Sequence, residues 1–167
     1  MALTRPAKRR AFLSIPVVLL ETSTMFVARI LVCLTAMAAG AAHAADRTVM
    51  LPLKSAIESA TTAGKLDGSV KFYMAGKGPK GKILQRDVVT NRKTNAFGKK
   101  DQTACDWAAQ SALISLQEAA KKAGANAVVN IVNYYKKVEN PNATDYECHA
   151  GAVIAGVALR GDLAVVK

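Results

Sequence analysis

Few residues of this chain are able to carry chemistry: some cysteines, some histidines and one run rich in glycine and lysine. Three Cys and two His occur among 167 residues, too few for a zinc module of four Cys or of two Cys and two His. His149 has no evident Ser or Asp partner, so no hydrolytic triad is indicated. The preferred interpretation is a protein without catalytic residues, metal site or cofactor.

Cys105 and Cys148 are predicted to form a disulfide bond. They remain after removal of the signal peptide predicted below, and an even number of cysteines in an exported domain favours pairing. The bond closes a loop of about 43 residues, worth about 4 kcal/mol in the chain-entropy model. The alternatives are a reactive thiol or a metal site with His149. The metal site is disfavoured because adjacent strand residues point to opposite faces.

Residues 76–83 read Gly-Lys-Gly-Pro-Lys-Gly-Lys-Ile and contain the G-x-x-x-x-G-K frame of a phosphate-binding loop. Ile83 stands where that motif has the magnesium-ligating Ser or Thr. A strand, rather than the N-terminus of a helix, is predicted to follow. A basic hairpin turn is therefore the preferred interpretation, and a nucleotide-binding, ATPase-like protein is the weaker alternative.

Residues 1–44 are predicted to be a signal peptide. Arg29 precedes an apolar run over residues 31–39, and Ala42-His43-Ala44 follows it. This order is typical of a secretory signal, with the cut between Ala44 and Ala45. A retained membrane anchor is the alternative, although the run is short for a span of about 20 residues. Met25 begins a second signal-like start and is an alternative site of translation initiation.

The composition is basic, with 23 Lys and Arg against 12 Asp and Glu and a net charge of +11. The hydrophobic fraction of 51% excludes a disordered tail. Two segments separated by one acid, Asp87, concentrate seven cations: Lys77, Lys80, Lys82, Arg92, Lys93, Lys99 and Lys100. They predict a patch that binds an anionic envelope polymer, with a solvated surface as the alternative. Export argues against a nucleic-acid partner.

Residues 45–167 are predicted to form a single small α+β domain of order β-α-β-β-α-β-β. The sheet is expected to be mainly antiparallel, with the helices packed on one face. Hydrophobic periodicity predicts strands over 48–53, 69–74, 82–90, 127–138 and 146–159, and helices over 54–63 and 103–123. The second and third strands are expected to form a hairpin. Gly161 and Asp162 are expected to turn the chain.

The helix over residues 103–123 carries the clearest pattern. Thr103 and Asp106 have the spacing of a capping box. Cys105 and six other small or apolar residues repeat at helical spacing on one face. Trp107 and Ile114 lie on the opposite face, where they either pack under a loop or contact a partner.

Three short stretches downstream resemble known families. Residues 124–129 read GANAVV after an Ala-rich helix end, residues 146–148 read YEC, and residues 156–159 read GVAL. Together they resemble the core of the outer-membrane stress-sensor lipoproteins of the Rcs pathway (RcsF-like) and of related small bacterial envelope proteins. The first stretch is also similar to the YbjQ-like domains, which are named for heavy-metal binding. The resemblance implies an α+β envelope protein with a binding or sensing role, but this chain lacks the lipid-bearing Cys and second disulfide of the sensors.

The sequence as a whole predicts an exported, non-catalytic bacterial envelope protein, periplasmic or secreted, with a binding, stress-sensing or structural role. Its expected partner is an envelope protein or an anionic envelope polymer, without a stable membrane span after cleavage. A periplasmic metal-binding protein is the main alternative.

Mass spectrometry of the protein recovered from the periplasm is expected to give Ala45 as the N-terminal residue. The physical reason is that signal peptidase requires small side chains at the positions of Ala42 and Ala44. Recovery of the uncut chain from the cytoplasm would contradict this prediction.

Overall fold

The computed structural model describes residues 46–167, which form six strands and two helices in the order β-α-β-β-α-β-β-β. The elements are β1 (Arg47–Pro52), α1 (Leu53–Thr62), β2 (Lys71–Met74), β3 (Gly81–Asn95), α2 (Asp101–Lys122), β4 (Ala127–Asn133), β5 (Asp145–Ala150) and β6 (Ile154–Val166). A 3₁₀ turn, Tyr135–Lys137, follows β4. The predicted signal peptide and its cleavage site at Ala44 and Ala45 lie outside the described residues.

All six strands belong to one sheet whose central strand is β6. One edge of β6 pairs with β3 from Gly81–Val166 to Asn95–Ile154. The other edge is shared, because β5 pairs with residues 155–157 and β4 with residues 159–164. β1 then pairs with β5, and β2 pairs in parallel with β4. The predicted α+β class with a mainly antiparallel sheet is confirmed, and the sheet is forked.

The predicted hairpin between the second and third strands is wrong. β2 pairs with β4 and β3 pairs with β6. The six residues that separate β2 from β3 contain no two-residue turn that would fix a hairpin. The apolar strand β4, with six of its seven residues buried, gives β2 a better partner.

The expected turn at Gly161 and Asp162 is also wrong, and the predicted strand over 146–159 is two strands. The chain turns at residues 151–153 and then runs straight through Gly161 within β6. A Cβ at Gly161 would lie 2.9 Å from Cγ1 of Val128. Glycine here lets β4 approach closely and does not form a turn. Because the predicted strand over 146–159 is two strands, the described residues form one strand more than predicted.

Both helices pack on one face of the sheet and share one core with it. The small residues Ala108, Ala109 and Ala112 of α2 are fully buried, which lets the helix backbone approach β6 and β3 closely. The predicted capping box is wrong, because α2 begins at Asp101 after Lys100, which makes no side-chain cap. The acidic side chain of Asp101 instead lies in the first turn, where its negative charge interacts favourably with the positive end of the helix dipole.

Asn133 fills the fork where β4 leaves β5. It is fully buried, and its Oδ1 accepts a hydrogen bond from the Glu147 N–H at 2.8 Å. Its Nδ2 donates to the carbonyl of Asp145 at 3.3 Å. One side chain thus satisfies backbone groups of β5 that β6 does not reach.

Asp162 links two irregular points on the sheet face opposite the helices. Its carboxylate accepts hydrogen bonds from the Asp87 N–H and from the Asn130 side-chain amide, both at 3.0 Å. Asp87 and Asn130 have φ values of 56° and 54°, a left-handed conformation that is uncommon outside glycine. The registers of β3 and β4 shift beside them. One buried carboxylate therefore stabilises two bulges.

Two adjacent links fasten α2 to β5. Cys105 and Cys148 lie at bonding distance, as predicted, with Cα atoms 5.7 Å apart and both residues fully buried. The neighbouring hydroxyl of Tyr146 donates a hydrogen bond to Oδ1 of Asp106 at 2.9 Å. Burial and the Asp106 carboxylate raise the pKa of the Tyr146 phenol. A covalent bond and a hydrogen bond therefore hold the same turn of helix to the same strand.

Replacing Cys148 by Ser is expected to lower the free energy of unfolding by about 2–5 kcal/mol, because the unfolded chain loses its cross-link. Urea titration of the purified protein measures this change. Reducing the wild-type protein should produce the same loss, and reducing the variant should add nothing. Titratable thiols from both Cys105 and Cys148 under denaturing, non-reducing conditions would contradict the bond.

Candidate functional site

The seven predicted cations do not form one patch. Lys77, Lys80 and Lys82 lie on the β2–β3 loop and the first residues of β3. Arg92 and Lys93 lie in the far half of β3, and Lys99 and Lys100 follow its end. At about 3.3 Å per residue, Lys82 and Lys93 are on the order of 30 Å apart. Arg92 is directed onto α2, where its Nε donates to Oγ of Ser115 at 2.8 Å. The seven cations therefore fall into two groups, of which Lys93, Lys99 and Lys100 belong to the second, and anion binding by them stays a prediction.

Four large apolar side chains are exposed at the same end of the sheet as these three lysines. Their exposed fractions are 74% for Phe97, 59% for Val153, 54% for Ile154 and 46% for Trp107. We call these four residues together with Lys93, Lys99 and Lys100 the apolar-basic end. A group of exposed apolar side chains is a mark of an interaction surface, whereas single ones are common.

Backbone contacts bring the apolar-basic end together. Ile154 pairs with Asn95 across the last step of the β3–β6 ladder. The next residue, Ala96, donates its N–H to the carbonyl of Val153 at 2.7 Å. Lys99 then donates its N–H to the carbonyl of Ala96 at 3.0 Å, and its Nζ lies 5.2 Å from the centre of the Trp107 ring. A cation over an indole face is a favourable contact, so Lys99 joins α2 to the strand ends.

The two residues predicted as partner contacts, Trp107 and Ile114, differ in how exposed their side chains are. Trp107 is nearly half exposed and belongs to the apolar-basic end. Ile114 is partly buried and packs against the core, so it is less exposed than Trp107, and its contact with a partner stays a prediction. The sequence pattern missed Phe97, because it stands alone in a polar segment. It missed Ile154 as well, because an apolar run that spans a turn looks like one strand.

His149 lies on the solvent side of β5, among polar side chains. Its ring stacks on Tyr135 with centroids 3.3 Å apart and planes 13° from parallel. Nδ1 lies 3.2 Å from the carboxylate of Asp46 and Nε2 lies 2.6 Å from that of Glu147. Both contacts are hydrogen bonds only when both ring nitrogens carry protons. Side chains alternate between the two faces of β5, so the ring of His149 points away from the buried side chain of Cys148.

This arrangement gives no support to the metal-site alternative. Among residues 46–167, His, Cys, Asp and Glu side chains form no group of three placed to hold an ion. Cys105 and Cys148 are bonded to each other and do not approach His149 as thiolates.

The glycine-rich run does not form the strand–loop–helix of a phosphate-binding loop. Its last glycine, Gly81, begins strand β3 rather than a helix. Gly78 packs on the sheet, where a Cβ would lie 3.1 Å from Cβ of Tyr73. No helix N-terminus therefore presents its amide groups to a phosphate here.

No helix within residues 46–167 is long and apolar enough to cross a bilayer.

Glu147 is the most constrained carboxylate of the His149 cluster, with a side chain only 11% exposed. Burial acts to raise its pKa, but hydrogen bonds with Asn140 at 2.7 Å and with His149 outweigh burial and leave the pKa below its ordinary value. The hydrogen bond to Asp46 raises the pKa of the Tyr135 phenol. These contacts link β5 to the 3₁₀ turn after β4.

We expect Glu147→Gln to destabilise the domain at neutral pH by about 1–2 kcal/mol, because a hydrogen-bonded charge is lost. The folded pKa of Glu147 is depressed, so its stabilising effect is complete above the unfolded value near 4.3 and disappears as pH falls through the folded value. Unfolding curves from pH 7 to pH 3 should therefore converge for the two proteins at the acid end. A difference that stays constant over this range would contradict the prediction.

No family model, curated protein or solved structure matches the chain. The resemblance of residues 103–160 to the stress-sensor and YbjQ-like families therefore stays an expectation.

Proposed function

We propose that this chain is an exported, non-catalytic envelope protein that binds the anionic surface of a membrane through its apolar-basic end. The observation that best supports this function is the presence of four exposed apolar side chains and three lysines at one end of the sheet. Export is inferred from the signal-like residues 1–44. A buried disulfide agrees with an oxidising compartment.

A lipid surface fits this composition better than a charged polysaccharide does. A polysaccharide offers anionic groups to lysine but no apolar phase for Phe97, Val153 and Ile154. At the boundary of a bilayer, aromatic rings lie at the level of the headgroups and lysines contact anionic lipid. Each such lysine contributes about 1 kcal/mol near an anionic leaflet. The long methylene stem of lysine also lets neighbouring apolar side chains enter while the ammonium group stays in water.

Binding to vesicles of phosphatidylglycerol and phosphatidylcholine is expected, with much weaker binding to phosphatidylcholine alone. The double variant Lys99→Glu with Lys100→Glu should bind about tenfold or more weakly, because it replaces attraction by repulsion. The matched control is Lys80→Glu with Lys82→Glu, which makes the same charge change at the other end of β3. Sedimentation with vesicles at low and at raised salt measures both, and raised salt should weaken binding.

Val153→Ser tests the apolar half of the same surface. Its matched control is Val165→Ser, since Val165 is also an exposed valine but lies at the opposite end of β6. Only Val153→Ser is expected to weaken vesicle binding. Equal losses in both valine variants, or equal losses in both lysine pairs, would contradict a site at the apolar-basic end.

A further inference from the structure

An apolar groove separates α1 from the edge strand β2. Its wider part has a volume of about 420 Å³, and its walls include Leu53, Ile57, Phe72 and Met74. A narrower part of about 250 Å³ continues past Thr61, Leu66 and Val70. Both parts share Ile57, Phe72 and Tyr73. The two parts therefore adjoin each other between α1 and β2, and we call them together the groove.

The fold leaves this groove open because α1 packs in another direction. The buried residues of α1 are Leu53, Ala56 and Ala60, which join the core beneath α2. Ile57, on a neighbouring helix face, is only partly buried. On the other side, β2 pairs with β4 and with no further strand of residues 46–167. Leu53 donates its N–H to the carbonyl of Thr144 at 3.0 Å, which fixes the loop wall beside Ala143.

Cations stand at both mouths of the groove. Lys54 and Lys77 line the wider part, and Lys71 lines the narrower part. Within residues 46–167, Lys71 and Lys77 form no ion pair, and Lys54 reaches only Glu58, at 3.7 Å. The groove thus combines a wall of side-chain carbon with three lysines, of which Lys71 and Lys77 have no ion-pair partner within residues 46–167.

We propose that this groove binds a single acyl chain that carries an anionic head group, such as a fatty acid. An apolar cleft matches a hydrocarbon chain, and an anionic head group matches Lys54 and Lys77 at the wider mouth. This site lies beside Pro52, at the end of β1 away from the apolar-basic end. It does not rest on the membrane-binding proposal.

Isothermal titration of the purified protein with dodecanoate, kept below its micelle concentration, tests the site. We expect saturable binding of one dodecanoate per chain. Ala143→Trp should weaken it about tenfold or more, because Ala143 lies on an exposed loop and an indole there fills the groove. Ala63→Trp is the matched control, since Ala63 is exposed just past the end of α1 and does not line the groove. Absence of saturable binding, or equal binding by Ala143→Trp and the wild type, would overturn the proposal.

The head-group contact is tested by charge. Lys77→Glu should weaken dodecanoate binding several-fold, whereas Lys80→Glu, the same change three residues along the same loop, should not. Uncharged dodecanol should bind the wild type and Lys77→Glu alike. If dodecanoate binds Lys77→Glu as tightly as the wild type, the assignment of an anionic head group is wrong. Monomeric dodecanoate presents no membrane surface, so failure here leaves the vesicle experiments unaffected, and their failure leaves this site unaffected.

Discussion

A strand has two hydrogen-bonding edges, and β6 must serve three neighbours with them. β3 takes one edge along its full length, so β5 and β4 share the other and have to diverge. The divergence would leave backbone groups of β5 without partners at the branch, and the side chain of Asn133 supplies them. The disulfide and the Tyr146–Asp106 hydrogen bond then hold α2 against the β5 branch.

Both candidate sites follow from that fork. α1 begins where β1 ends, on the β5 branch, whereas β2 belongs to the β4 branch. Because the branches separate, α1 and β2 do not close on each other and a groove remains between them. At the other end, the β5–β6 turn and the last residues of β3 meet beside the start of α2. Four apolar side chains are left exposed there by the strands and helices of residues 46–167.

Local periodicity was enough to predict the parts of the fold that depend on one element. Helical spacing predicted the buried face of α2. The even cysteine count predicted that Cys105 and Cys148 lie close enough to bond. Strand partners depend on residues far apart in the chain, and there the sequence misled. Gly161 and Asp162 are residue types that favour a turn. In the fold, however, the missing side chain of Gly161 leaves room for Val128, a contact that exists only because β4 pairs with β6. Likewise, the sequence did not predict that Phe97 and Ile154 lie at the same end of the sheet, because this depends on the pairing of β3 with β6.

β3 leaves a 15-residue edge with no strand partner within residues 46–167. Such an edge is a template on which a second chain adds through backbone hydrogen bonds. Lys82, Arg86 and Lys93 lie along it, and the bulge at Asp87 interrupts its regular spacing. Like charges and a bulge on this edge oppose the pairing of two copies edge to edge. The length of this edge, rather than its apolar content, is what makes such protection necessary, since every unpaired backbone group along it is a point at which another strand could add.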